Sequence, residues 1–144
     1  MNDPLAKVLE TKGSGVETVS PETTVLAAVH QMNARKIGAL VVTDRGRPIG
    51  IFTERDVLVR VVAAGLDPKT TPVNEVMTRG PVVVRPEVTV SEAMLVITQR
   101  RCRHLPVMDY GELRGLISIG DLTSWVVRDQ QRTIEDLYDY MTRG

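Results

Sequence analysis

Apolar positions along this chain fall into two series that echo each other. They recur at Val25, Ala28, Val29 and Met32, and again at Val90, Ala93, Met94 and Ile97, the spacing that turns one face of a helix inward. Ahead of each helix stands a short β-branched run, Val16-Glu17-Thr18-Val19 or Val82-Val83-Val84, closed by Ser20-Pro21 or Arg85-Pro86. These runs predict strands stopped by proline. Beyond each helix, residues 39–43 and 105–108 read as buried strands. Asp44-Arg45-Gly46 or Asp109-Tyr110-Gly111 supplies the turn into a further strand at 49–53 or 113–118. Helical spacing then resumes at Val57, Leu58, Val61 and Val62, and at Leu122, Trp125 and Val126. Each unit therefore reads β-α-β-β-α, an α/β (α+β) pattern.

The echo is one of identity as well as pattern. Residues 19–57 match 84–122 without a gap, and 13 of those 39 pairs are identical, among them Pro21/Pro86, Gly50/Gly115 and Asp56/Asp121. Such a duplication predicts two pseudo-two-fold-related units that bury a shared face, with the seam between them as the natural place for a site. A polar connector, 64–72, joins the copies and leads into a short amphipathic helix at 73–77. Leu5, Val8 and Leu9 form a similar short helix at the start, followed by three more residues than the matching stretch of copy two. At the far end Ile134, Leu137, Tyr138 and Met141 lie on one helical stripe, expected to cap the core or a dimer seam. The expected organisation is a helix over 4–12, repeat 1 over 16–72, repeat 2 over 73–128 and an amphipathic C-terminal helix over 129–144.

Composition narrows the function classes. With 144 residues, 42% of them apolar, the chain supports one well-buried core and not two large domains. A formal net charge of zero gives nucleic acid or an anionic membrane no global attraction, and five aromatic residues supply little for stacking on single strands. No apolar run approaches the roughly 20 residues of a membrane span, and the opening residues lack a signal peptide's order, so a cytoplasmic location is expected. The single cysteine, Cys102, excludes an internal disulfide and a cysteine-built metal cage, and reads as a small core residue. His30 lies in the first helix with no ligand partner at metal spacing and reads as a surface residue, so no metal site is expected. Neither a nucleophile–histidine–acid set nor a pair of carboxylates can be assembled, so neither catalysis nor a catalytic cofactor is expected.

The chemistry concentrates at the two strand-to-helix junctions, Gly50-Ile-Phe-Thr53-Glu-Arg-Asp56 and Gly115-Leu-Ile-Ser118-Ile-Gly-Asp121. Each places a hydroxyl at a helix N-cap and an aspartate three residues on. That pattern builds a capping box, in which the aspartate serves its own helix. The same geometry offers free amides to a phosphate and a carboxylate to the hydroxyls of a ribose.

At these junctions, together with Val19-Ser-Pro-Glu-Thr-Thr-Val, Ile37-Gly-Ala-Leu-Val-Val-Thr-Asp and Arg103-His-Leu-Pro-Val-Met-Asp, the chain resembles the CBS domain over about residues 4–128. Paired copies of that domain form the adenine-nucleotide-sensing Bateman module, and the chain looks like those proteins that consist of little beyond one such pair. The resemblance implies shared pockets, hydroxyl and aspartate from one copy and base-gripping strands from the other. Pocket one would combine Ile51, Thr53 and Asp56 with Pro81, Val82, Arg103 and His104. Asp56 would take the ribose, Thr53 a phosphate, Pro81 and Val82 the base, and Arg103 with His104 further phosphate contacts. Pocket two would combine Leu116, Ser118 and Asp121 with Val16, Ile37, Gly38 and Ala39. Its strand offers no cation, Val41 stands where copy two has Pro106, and Glu17 adds a carboxylate expected to repel phosphate.

The resemblance thus implies a homodimeric regulatory module that holds AMP, ADP, ATP or NAD(H) and signals energy or redox state to a partner protein by ligand-biased conformational change. Dimerisation is expected through the helices at 57–62 and 122–127. The alternatives are a ligand-free dimerisation scaffold and a nucleic-acid binder using Arg100, Arg101, Arg103 and His104, although basic residues also suit helix C-termini.

Overall fold

The structure, a computed structural model, describes residues 2–13 and 15–143. Its elements, in order, are α1 (Leu5–Lys12), β1 (Thr18–Val19), α2 (Val25–Arg35), β2 (Ala39–Asp44), β3 (Arg47–Thr53), α3 (Glu54–Asp56), β4 (Thr78–Arg79), α4 (Val90–Arg100), β5 (His104–Asp109), β6 (Glu112–Ser118) and α5 (Ile119–Thr142). Helix α3 runs on into a π-helical stretch, Val57–Val62, and a 3₁₀ turn covers Val73–Glu75. Two pseudo-two-fold-related β-α-β-β-α repeats thus pack as one pair, a mixed α+β architecture. No helix among the described residues is long and apolar enough to cross a membrane.

Local chemistry explains why the repeats fold alike. Helix α2 begins where the Thr24 hydroxyl accepts the Ala27 amide at 3.2 Å, and α4 where Thr89 and Glu92 form a capping box. The cap of α4 is therefore Thr89, the counterpart of Thr24 in repeat 1. Both helices end on left-handed residues at matched positions, Lys36 (φ 55°) and Arg101 (φ 53°). The hairpins β2–β3 and β5–β6 turn through Arg45-Gly46 and Tyr110-Gly111, all four with positive φ, the backbone that two-residue hairpins favour. Each hairpin carries its register shift at the same place, Val42/Thr43 and Val107/Met108.

Several expected elements take a different form. The opening strand of repeat 1 shrinks to β1, paired parallel to β2, and residues 82–84 contribute only a bridge from Val84 to Val107. Proline ends both runs before a ladder can lengthen. Residues 78–79, not expected as a strand, pair with Gly50 and Ile51 and complete a four-stranded sheet in the order β1-β2-β3-β4. The amphipathic tail is not a separate helix, because α5 runs unbroken from Ile119 through the expected boundary at 128/129. Gly144, the expected end of that tail, lies outside the described residues.

The core is exchanged between the repeats. Leu5 and Val8 of α1 pack with Val90, Leu105, Ile117 and Leu122 of repeat 2, whereas Val73, Val76 and Met77 pack with Val25, Leu40 and Phe52 of repeat 1. Backbone bonds seal both crossings, from Leu5 N–H to the Val88 carbonyl and from Val73 N–H to the Thr23 carbonyl, each 2.8 Å. The motif glycines permit the approach. A Cβ on Gly50 would collide with the Met77 thioether, and one on Gly115 would stand 2.5 Å from Leu9 Cδ2. Each repeat therefore completes its core with the segment that precedes the other, which ties the two together.

Candidate functional site

Hairpin geometry carries the two junctions into the seam. Strand β3 delivers Thr53 beside Ala39, and β6 delivers Ser118 beside His104, each as a cross-strand pair. At the first junction the Asp56 Oδ2 accepts the Thr53 amide at 2.9 Å and the Thr53 hydroxyl at 3.1 Å, while Thr53 Oγ1 accepts the Asp56 amide at 3.3 Å. At the second, Asp121 Oδ2 accepts the Ser118 amide at 2.8 Å and Ser118 Oγ accepts the Asp121 amide at 3.0 Å. Both capping boxes are therefore formed. They leave part of each carboxylate's acceptor capacity for other donors, since an ionised carboxylate offers about four lone-pair sites.

A single cleft of about 990 Å³ lies between the repeats and takes in both expected pockets. All seven residues named for pocket one line it, as do Val16, Ile37, Gly38, Ala39, Leu116 and Ser118 of pocket two. Asp121 alone among the fourteen is not on its wall; the Lys12 ammonium, which is, stands 2.8 Å from Asp121 Oδ2 and 2.6 Å from the Leu116 carbonyl. Cys102 also reaches the cleft from the edge of the second core, half-buried, and burial pushes its thiol pKa up. Glu54, one residue past the first cap, lies against Gly38, where a side chain would collide with its carboxylate.

The charges inside the cleft are unlike those of the chain as a whole. Seven Lys and Arg residues line it, Lys12, Arg55, Arg60, Arg79, Arg100, Arg101 and Arg103, against the carboxylates of Glu17, Glu54 and Asp56. A concave surface of one sign focuses potential, so a neutral protein presents a positive cleft. Glu17 does not oppose this as expected, because Arg35 holds it at 2.6 Å. His104 sits between the halves. Burial lowers its pKa below the usual 6.5, the Lys12 and Arg103 charges push the same way, and Asp121 and Asp56 oppose them. Burial raises the Asp121 carboxyl, but Lys12 together with the Ser118 amide and hydroxyl outweighs it and holds the group below its usual value.

Two functional candidates escaped the sequence reading. Arg60 stands one turn beyond Asp56, its Nε 3.7 Å from Oδ1, while its Nη1 donates to the Val76 and Met77 carbonyls. The acid–base spacing of four on one helix was its signal. Lys12 had none beyond the longer stretch before repeat 1. Arg103, by contrast, lines the cleft exposed, and its carbonyl accepts the Ile119 amide at 2.9 Å.

Comparison with known proteins agrees with this architecture. The CBS domain model matches residues 2–63 and 73–128. The plant CBS domain-containing protein CBSCBSPB5 of Arabidopsis thaliana is 36% identical over 119 residues; that match covers 82% of this chain and 22% of the plant protein, so the chain spans about a fifth of its length. A solved protein with CBS domains from Burkholderia ambifaria MC40-6 is 41% identical with a TM-score of 0.81, over 88% of this chain and 96% of that one. The CBS domain protein PAE2072 of Pyrobaculum aerophilum, solved in complex with AMP, is 26% identical with a TM-score of 0.72, over 82% and 88% of the two chains.

Proposed function

The chain belongs to the CBS domain family, and from that premise we propose that it is a regulatory module that binds an adenosine nucleotide, AMP, ADP, ATP or NAD(H), in the cleft between its repeats. The observation that carries the reading is the convergence of two capped helix starts, each with an aspartate, on a cleft with seven Lys and Arg side chains. A nucleotide presents the complementary set, ribose hydroxyls for a carboxylate and phosphate for amides and cations. The AMP complex of a structural neighbour supports the same ligand class.

In this reading Asp56 and Asp121 take ribose hydroxyls, Thr53 and Ser118 approach phosphate, and Arg103 with His104 adds charge. Pro81 and Val82 on one side, and Val16, Ile37, Gly38 and Ala39 on the other, flank the base, with Ile51 and Leu116 behind it. Ligand bridges two repeats that already share segments. It therefore favours the relative orientation it fits best and alters the surface offered to a partner by its differential affinity for the two arrangements. No turnover is expected.

We further propose that the module self-associates through the π-helical stretch 57–62, where Leu58 and Val62 are 65% and 66% exposed. The other helix expected at a dimer seam contributes less. Leu122 is fully buried and Trp125 packs on the second core, its indole N–H 3.0 Å from Asp3 Oδ2, which leaves Val127 outward.

The deciding experiment is isothermal titration of nucleotide-free protein with AMP, ADP, ATP, NAD(H), GTP and adenosine. Saturable binding of an adenosine compound, with GTP weaker by tenfold or more, supports the reading. Absence of binding by all of them, in a folded protein shown free of copurified nucleotide, refutes it and leaves the dimerising scaffold. Affinity for RNA or DNA that falls steeply with salt would favour the nucleic-acid reading instead.

A further inference from the structure

Besides their facing strands, the two halves of the cleft differ in the cation at the capped aspartate: Arg60, one turn on, stands 3.7 Å from Asp56 Oδ1, whereas Lys12 reaches Asp121 Oδ2 from a distant segment at 2.8 Å. The short segments that cross between repeats correspond at a constant offset: Leu5 with Val73, whose amides bond the equivalent Val88 and Thr23 carbonyls, and Leu9 with Met77, which pack on the equivalent Gly115 and Gly50. At that offset Lys12 corresponds to Gly80, which has no side chain. The segments diverge just before this point, since α1 is still helical where the other crossing has become strand β4. The sequence carries three additional residues, 13–15, ahead of repeat 1. An ammonium thus enters the cleft at the second capped helix start, bound to Asp121 and to the Leu116 carbonyl, with no counterpart from Gly80 at the first.

We propose that Lys12 makes the second half of the cleft selective for phosphorylated nucleotides over the bare nucleoside. The inference rests on the reading of Asp121 as a ribose acceptor. Asp121 Oδ2 already accepts the Ser118 amide and the Lys12 ammonium. Ribose hydroxyls that take up this Oδ2 displace the ammonium from it. Adenosine offers it nothing in return, so binding bears the loss of an ion pair. AMP carries a phosphate that takes it over, and a flexible four-carbon stem lets the ammonium follow. The facing strand has Gly38 and Ala39 where the first half has Arg103 and His104. Lys12 therefore supplies from α1 the cation that this strand lacks.

The test is titration calorimetry with AMP and with adenosine in the Asp56→Ala chain, which leaves the second half as the site under study; Asp56→Asn replaces it if the truncation unfolds. With Lys12 present, AMP should bind about tenfold or more tighter than adenosine. Lys12→Met should weaken AMP about tenfold, leave adenosine unchanged or tighter, and so abolish the preference, while Lys12→Arg should restore it. Lys12→Gln serves should the methionine variant not fold. An unchanged AMP-to-adenosine ratio, an equal loss for both ligands, or tighter AMP binding without the ammonium overturns the proposal. So does loss of all binding in the Asp56 variants when the unmodified chain binds AMP. If the unmodified chain binds neither ligand, the proposed function fails along with it.

Discussion

Replacing Asp56 with alanine separates the two roles that its position allows. In the unliganded protein the change removes the acceptor for the Thr53 amide at 2.9 Å and for the Thr53 hydroxyl at 3.1 Å, while Arg60 keeps its bonds to the Val76 and Met77 carbonyls. Loss of a helix cap of this kind costs about 0.5–2 kcal/mol. For a chain near 150 residues each kcal/mol moves the melting midpoint by about 2–4 °C, so the midpoint should fall by about 1–8 °C. The nucleotide loses more: a hydrogen bond to a charged group is worth about 1.5–3 kcal/mol, or about 10- to 150-fold in Kd. Asp56→Asn keeps a carbonyl oxygen for the Thr53 amide and removes the charge, so it should spare most of the midpoint and still weaken binding. Both are measured by thermal melts and by AMP titration in an Asp121→Ala background, where the first half of the cleft gives the signal. A midpoint that falls as described with a Kd changed less than twofold would refute the reasoning and leave Asp56 as a helix cap and nothing more.

Three further outcomes follow from the same geometry. Leu5→Ala, a truncation at a fully buried position of the second core, should cost about 2–5 kcal/mol, and hydrogen exchange should rise in α4 and β5 before α2 and β2; faster exchange in repeat 1 first would contradict the exchanged packing. Because the folded His104 resists a proton that the unfolded chain accepts near pH 6.5, its contribution to stability is complete above that value and is lost as the pH falls from there through the lower folded pKa. Melting midpoints at pH 7.5 and 5.5 should therefore differ more in the unmodified protein than in His104→Gln, and equal differences would count against a buried neutral imidazole. Leu58→Glu with Val62→Glu should shift sedimentation toward the monomer without lowering the melting midpoint of the monomer itself, whereas an unchanged sedimentation profile would place any self-association elsewhere.

Periodicity and duplication were enough to read the repeat unit, its hairpins and the two capped junctions, because each depends on neighbours close in sequence: a hydroxyl and an aspartate three apart, glycines at positive φ, and apolar residues at helical spacing. The apolar pattern divides α5 in two because the change from the buried Leu122 to the exposed Ile134 stripe breaks that pattern without breaking the backbone. Helical hydrogen bonds do not require a buried face to continue. Thirteen of the fourteen residues named for the two pockets lie around one cleft in the folded chain, and the size of that cleft could not be read from the sequence, since how far two loops open toward each other is not encoded in either loop.

Sequence by itself determined the local vocabulary of this protein: most of its helices and hairpins, that they occur twice, and the two capped junctions. Only the tertiary structure decided which repeat each preceding segment completes, that Lys12 reaches Asp121 while Gly80 has no side chain at the matching position, and that seven of the 18 Lys and Arg residues of a neutral chain line one cleft. Those features arise from contacts between residues as far apart as Lys12 and Asp121, 109 positions along the chain. A local pattern carries no record of such contacts, and they come into being only when burial of the two exchanged cores brings the segments together.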